Sequence, residues 1–395
     1  MGYLYFLSIP FVNAFNVSQV FIIPLLTGLG GVLWILATGR LSKFPWLNID
    51  RFVLVFLFTV LVSVAVNTPS LSPKNVNHVF AIFAAYGVFY FGADRLAHSM
   101  TTQKVLGILF VGYMIATLFG IFEFFIVNFT SYNLGAIVFR PSVEDYTPGF
   151  LDIVLIRARS LFEESGYFAA YLAVLGPLMV YYLWFLREGR GWRFVFIVVT
   201  LASYFVAFSV SLFIFLPFAI LLTVAIKTVT EGRLTRSLLF VYFGLGVIAV
   251  GVLSSDVLMD ALFYRKFEGG SFEDRNQKFA ATMEVMSSAS WVHLLFGFGP
   301  GSYFNLGVKP AISVYLNYFR DLGVFGVSAY IVLTLFLLID MFRDKRPLGV
   351  ALFVSALVIQ LFYISTPIYF LPHYFVPLLI YRMQRSSPLE TRRHI

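Results

Sequence analysis

VLGILFVGYMIATLFGIFEFFIV, residues 105 to 127, carries a single charged side chain in a run long enough to cross a bilayer core, which takes about 20 helical residues. Comparable apolar runs occupy 3 to 12, 20 to 38, 52 to 66, 78 to 93, 167 to 186, 193 to 208, 210 to 226, 238 to 254, 321 to 342, 347 to 364 and 368 to 382. Runs of this length predict helices, because the strands of a membrane barrel would alternate polar and apolar residues in shorter segments. The expected fold is therefore all-α and integral to the membrane, a polytopic bundle of about 12 transmembrane helices. Composition agrees: 59% of the 395 residues are hydrophobic and 12% charged, against about a quarter charged in soluble domains. The opening MGYLYFLSIPF lacks a basic segment and a small-residue cleavage site, so it reads as a first membrane segment with the mature chain starting at Met1. It is short for a span, and Asn13, Asn16, Ser18 and Gln19 follow it, which leaves the count at eleven or twelve.

Lys and Arg are retained on the cytoplasmic side of a membrane. Alternate connections hold most of the 28 basic residues: Arg40, Lys43 and Arg51; Arg95 and Lys104; Arg187, Arg190 and Arg193; Lys227, Arg233 and Arg236; Arg343, Lys345 and Arg346; and the C-terminal Arg382, Arg385, Arg392 and Arg393. This alternation predicts cytoplasmic termini and places two long connections, 128–166 and 255–320, outside. The formal charge of +8 is then mainly a topology signal and gives no reason to expect nucleic-acid binding. No repeat or soluble segment divides the chain, so 1–395 reads as one membrane domain. Cysteine is absent and the five histidines are scattered, so no disulfide, metal site or other cofactor is expected.

The longest polar interruption is RKFEGGSFEDRNQKFAATMEVMSSASWVHLLFGFGPGSYFNLGVKPAISVYLNYFRDLGVFG, residues 265 to 326. Chemistry needing water and a polar substrate has few other places to go. Phe279, Met283, Met286 and Trp291 recur at near-helical spacing, which predicts an amphipathic surface helix from Arg275 to Trp291 with Arg275 and Lys278 at its start. GFGPGSY, 297 to 303, permits either a plain turn or close backbone approach to a ligand. Tyr315, Asn317 and Arg320 either line a cavity or form an aromatic belt. His293 is a candidate base, although a lone surface histidine is more often packing.

The other long connection ends in RARSLFEESGYFAAYL, which sets Arg157, Arg159, Glu163 and Glu164 just before the sixth span. These arginines either snorkel and pair with the glutamates or serve a site. Glu123, near the outer end of the fifth span, is an intramembrane carboxylate and hence a site candidate or a paired group. Arginines in both long loops, with carboxylates beside them and no nucleotide or metal motif, suit a phosphate or pyrophosphate, whose oxygens match the planar guanidinium fork.

On these segments the chain resembles the superfamily of O-antigen polymerases and O-antigen ligases. The matching residues are RARSLFEESGYFAAYL at 157 to 172; Arg275 and Trp291 followed by LFGFGPGSY at 295 to 303; and YLNYFRDLGVFG at 315 to 326. Their order and their placement in the two long loops, together with the twelve-span plan, cover most of the chain.

The resemblance implies a C-type membrane glycosyltransferase fold and periplasmic loops containing short helices. It also implies a location in the bacterial inner membrane, with the active site facing the periplasm. The implied substrate is an oligosaccharide on undecaprenyl pyrophosphate, drawn from the membrane lipid, and the reaction moves the glycan to a sugar hydroxyl without a metal. Family arginines map onto Arg159 and Arg275, with Arg157, Arg265, Lys278, Tyr303, Tyr315, Asn317 and Arg320 as substrate-binding candidates. Glu164 and Glu163 are the candidate catalytic carboxylates. A separate polysaccharide chain-length regulator is a further partner the resemblance leaves room for.

Ligases carry a His-Asn pair where this chain has Ile312 and Ser313, so the leading expectation is an inverting polymerase rather than a ligase that transfers polysaccharide to a lipid A core. A transporter of lipid-linked sugars is the rival from another class. It would keep charges deep in several spans, whereas Glu123 is nearly alone here.

Overall fold

The computed structural model describes residues 1–12, 22–38, 46–98, 100–130, 132, 134, 138, 155–187, 189–231, 270–367 and 371–386. Helices follow in the order α1 Gly2–Ser8, α2 Ile23–Ala37, α3 Asn48–Val66, α4 Pro73–Ala97, α5 Thr102–Phe129, α6 Ser165–Leu186, α7 Arg190–Ala207, α8 Val210–Glu231, α9 Gly270–Ser287, α10 Trp291–Phe296, α11 Tyr303–Leu306, α12 Val314–Arg343, α13 Pro347–Ser365 and α14 Pro372–Ser386. No strand occurs among the described residues. Among the described residues eight helices, α3 through α8 with α12 and α13, are long and apolar enough to cross a membrane, α8 by its segment Ser211–Thr228. The shorter α1, α2 and α14 coincide with three further predicted spans, and α1 has only 7 helical residues. The predicted span 238–254 lies outside the described residues.

Local chemistry explains where the helices begin. Pro73 and Pro347 occupy first-turn positions, where the missing N–H costs nothing. The Leu47 N–H donates to Asp50 before α3, and the Thr101 hydroxyl accepts from the Lys104 N–H at the start of α5. Inside α4 the backbone widens into π-type turns over Ala85–Gly92.

Packing sets the depth of each helix. α13 lies against α6, α12, α8 and α14 and buries 67% of its apolar window, whereas α8 buries 22%. Outward-facing Phe58, Leu61, Phe122, Phe125, Phe194, Phe205 and Leu335 are exposed large apolar side chains. That is the reverse of a soluble surface and is what a lipid environment requires.

The bundle has two chemically distinct ends. One collects the C-terminal ends of α3, α5, α7 and α13, the N-terminal ends of α4, α6, α12 and α14, and the described parts of both long connections. At the other end Arg382 is buried against Asp50 and Asp94, with its Nε 3.2 Å from Asp94, while the Tyr90 hydroxyl donates to Asp50 at 2.6 Å. Arg382, counted above among the loop charges, is thus a packed group tying α14 to α3 and α4. Buried charges persist in this way because loss of one partner strands the other.

Candidate active site

The segment before α6 is held down along its length. Asn128 at the end of α5 accepts from the Ile156 N–H at 2.7 Å and donates to the Ile156 carbonyl at 2.8 Å. The Ala158 N–H donates to the Val206 carbonyl at 2.9 Å. Next, one oxygen of buried Glu123 accepts from two successive backbone N–H groups, Arg159 at 2.9 Å and Ser160 at 2.6 Å. Two adjacent amides aimed at one point form an anion nest. Here the anion is Glu123, so this carboxylate anchors the arginine segment. Ser160 takes a left-handed φ of 53° and donates its hydroxyl to the Ala116 carbonyl at 2.6 Å. Ala158, Leu161 and Phe162 are buried beneath the segment.

Arg157, Arg159, Glu163 and Glu164 are therefore carried on a fixed backbone. Arg159 reaches forward to the Glu163 carbonyl at 3.4 Å. Burial pushes the Glu163 carboxyl above the ordinary carboxylate range, with Arg159 opposing. Burial also pushes Glu164 up; the neighbouring Glu163 charge adds to this, while Arg157 and Lys278 oppose it. Arg157 is drawn below its usual value by burial, with Glu164 opposing. A carboxylate among cations is ordinarily a weak base, and desolvation counters that here. On the first turn of α6, Tyr167 interacts with Glu164 and hydrogen-bonds Thr366 at the end of α13.

Lys278, whose charge opposes the rise at Glu164, belongs to the other long connection. It sits on α9, where Asp274 one turn earlier holds it, and Asp274 also accepts from Lys309 at 2.8 Å. These two lysines hold Asp274 down at about 2. Arg275 lies three residues before Lys278, on the same side of α9 by helical spacing. Arg265 lies outside the described residues.

The single helix expected from Arg275 to Trp291 is two helices. α9 begins earlier, at Gly270, and ends at Ser287. Ser290 then has extended backbone and accepts from the His293 N–H to start α10. The side of α9 turned inward is Thr282 and Met286, while Phe279, Met283 and Trp291 point out, Trp291 with 70% of its surface exposed.

The glycine turn packs against α12. Gly297 (φ 73°, ψ −177°) and Gly323 (φ 69°, ψ −167°) both occupy backbone conformations essentially reserved for glycine. A Cβ on Gly297 would meet the Asp321 backbone at 2.3 Å, and one on Gly323 the Leu295 backbone at 2.4 Å. Phe298 and Gly299 donate to the Arg320 and Asp321 carbonyls at 2.9 and 3.0 Å. The Asp321 carboxylate accepts from the Gly301 N–H at 2.9 Å and the Ser302 hydroxyl at 2.7 Å. From α3 and α4, Asn67 donates to the Gly297 carbonyl at 3.0 Å and Asn75 to the Pro300 carbonyl at 2.9 Å.

This arrangement decides several candidate roles. Arg320 has no exposed surface: its Nε reaches Asp321 at 3.0 Å and Ser302 at 3.2 Å, and Nη2 reaches Asn317 at 2.9 Å. It is a framework group, not a cavity-lining one. Asn317 accepts from the Ala311 N–H at 3.1 Å, and Tyr315 donates to Gln360 at 2.7 Å, so both join α12 to its surroundings. Tyr303 is half-buried, 3.2 Å from His78 and beneath the Arg320 guanidinium. Ser313, where a ligase has asparagine, caps α12 by accepting from the Leu316 N–H at 3.1 Å. His293 stacks on Phe298 and contacts Ser290 at 3.0 Å.

A cavity between α4, α12, α13 and α14 is lined by tyrosines, Thr334, Gln360, Phe375 and aliphatic side chains, none of them charged. It offers a phosphate no cation, whereas the arginine–glutamate cluster does, and that cluster is taken as the candidate site. Among the described residues no three His, Asp or Glu side chains are placed to hold a metal ion.

Sequence reasoning set the arginines beside the glutamates, either as pairs or as a site, but missed Asp274, Tyr167, Thr366 and the anchoring of the arginine segment by Glu123. The available signals were the i, i+4 spacing of Asp274 and Lys278 and the rarity of carboxylates in apolar spans.

No protein-family profile matches this chain, and no curated protein is similar to it.

Proposed function

We propose that the protein polymerises oligosaccharide repeat units carried on undecaprenyl pyrophosphate, by a single inverting displacement at the periplasmic face of a bacterial inner membrane. The observation that carries this reading is the segment anchored by Glu123, which holds Arg157, Arg159, Glu163 and a desolvated Glu164 together on one fixed backbone. Arg157, Arg159 and Arg275 hold the pyrophosphate and stabilise the charge that grows on it. As the bond from the sugar anomeric carbon to the pyrophosphate oxygen breaks, its electron pair leaves with undecaprenyl pyrophosphate. The hydroxyl oxygen of the incoming repeat unit bonds to that carbon, and its proton passes to Glu164. Glu163 keeps Glu164 basic by like-charge repulsion. The fold assignment to the C-type glycosyltransferases is part of the same proposal.

The reading is tested with purified protein in lipid bilayers supplied with a lipid-linked repeat unit of known anomeric configuration. Release of undecaprenyl pyrophosphate together with a new linkage of opposite configuration supports it. Movement of the intact lipid-linked unit with no new glycosidic bond overturns it in favour of a transporter.

A further inference from the structure

All five tryptophans of the chain are exposed, and each stands at or near a helix end. Trp34, Trp46, Trp184 and Trp192 lie at the end of the bundle marked by Arg382. Trp291, the first residue of α10, belongs to the end that carries the two long connections. This distribution is an aromatic belt, in which amphipathic rings settle at the two headgroup layers of a bilayer.

The level of Trp291 follows from α3. The apolar run of that helix ends at Val66, and the next residue, Asn67, donates to the Gly297 carbonyl at 3.0 Å. One turn earlier, Ser63 donates to the Asp321 carbonyl at 2.8 Å. The end of α10 is thus tied to the last turn of a membrane-length helix. There Phe296 packs on Phe325 of α12 with ring centroids 5.4 Å apart, and Phe325 and Val324 belong to the outward-facing apolar surface. α10 has six residues, about 9 Å of helix, so Trp291 stays within that distance of the same level. α9 continues the surface. Arg275, Phe279 and Met283 follow one another at one-turn spacing, Phe279 and Met283 both exposed, while exposed Gln277 and Glu284 lie further round the helix. In water these apolar side chains would have no partner, whereas the leaflet beside α3 and α12 supplies one.

We propose that Trp291 of α10, with Phe279 and Met283 of α9, is a lipid-surface anchor: it rests the second long connection on the phospholipid leaflet at this end of the bundle and holds Arg275, one turn before Phe279, at headgroup height. The anchor requires only that the chain is a membrane protein. Its consequence for Arg275 rests on the polymerase reading, because headgroup height is where a lipid-borne pyrophosphate stands.

The experiment places purified protein, one copy per disc, in nanodiscs of phosphatidylcholine brominated either close to the headgroup or close to the methyl end of the acyl chains. The emission lost in Trp291→Phe isolates Trp291. Bromines near the headgroup should quench it strongly and those near the methyl end weakly. Unchanged emission in both lipids overturns the proposal: if aqueous iodide then quenches the ring it stands in water, and if iodide is excluded it is covered by protein. Because the chain has no cysteine, spin labels on Met283→Cys and Gln277→Cys resolve the two sides of α9. The label on Met283→Cys should relax more with oxygen, which concentrates in lipid, and the label on Gln277→Cys more with a water-soluble nickel chelate. A preference for the chelate at both positions removes α9 from the anchor. If Trp291 and Met283→Cys report lipid in a protein that forms no polymer, the anchor stands and the polymerase reading fails. Where polymer forms, Phe279→Ser combined with Met283→Ser should lower kcat/KM for the lipid-linked unit several-fold in protein that melts normally, and an unmoved kcat/KM overturns the consequence for Arg275.

Discussion

Glu164 stands where burial and Glu163 push its proton affinity up and Arg157 and Lys278 push it down, and the upward influences win. A proton acceptor of this kind works only when ionised. The polymerising rate should therefore rise with pH through a midpoint above the ordinary carboxylate range, and Glu163→Gln, which removes the like charge, should lower that midpoint. Stability runs the other way. A carboxyl with a higher pKa folded than unfolded takes up protons on folding, so its contribution is most favourable at low pH and is lost as pH rises through the folded value. Glu164→Gln should accordingly cost activity by roughly 10²- to 10⁴-fold while leaving the neutral-pH melting temperature unchanged or higher. A melting temperature that falls with the activity would assign Glu164 a structural role. Arg159→Ala and Arg275→Ala should each reduce polymer about 100-fold or more with folded protein retained, and lysine should rescue poorly because it lacks the planar fork. Near-normal polymer from both alanine variants would remove the pyrophosphate assignment. The closeness of Arg157 and Arg159 to Glu163 and Glu164 was legible because all four fall within eight residues of one another. The left-handed Ser160 and the anchoring Glu123 were not, since one is a backbone conformation and the other a contact across 36 and 37 residues.

The elements that hold the site show where pattern reading works and where it stops. Long helices were readable because a membrane solvent forces every backbone group into internal hydrogen bonds over about 20 residues. The break between α9 and α10 was not, because Phe279, Met283, Met286 and Trp291 keep a helical rhythm across an extended Ser290. Nor did the glycines announce their purpose: GFGPGSY reads first as a plain turn, and it also permits a ligand loop. In the structure its glycines allow the turn to cross the α12 backbone at Gly323. Gly323→Ala tests that crossing. The backbone conformation alone costs of order 1–3 kcal/mol for a residue with a side chain, and the 2.4 Å approach to Leu295 adds to it. The variant should melt lower and be cleaved faster by protease, whereas Gly307→Ala, with open space around it, should suffer only its backbone strain. Equal losses from the two would show that the crossing contributes little.

At the scale of the whole molecule, eight long apolar helices among the described residues and an outward-facing apolar surface make this a multi-pass membrane protein, and the described parts of both long connections pack at one end of the bundle. Sidedness follows from the charge alternation, which predicts that this end is outside. Because the chain contains no cysteine, Ser142→Cys and Ser271→Cys can be made singly in the native background. Both should react with an impermeant thiol reagent in intact spheroplasts; labelling only after permeabilisation would reverse the orientation. The central claim is that cations and a carboxylate drawn from both connections join repeat units to one another. Its most direct measurement gives purified protein the lipid-linked repeat unit alone. The account predicts a ladder of lengthening chains that Glu164→Gln abolishes and His293→Ala leaves intact. Elongation that is absent until a lipid A core acceptor is supplied, or a ladder that survives Glu164→Gln, would contradict it.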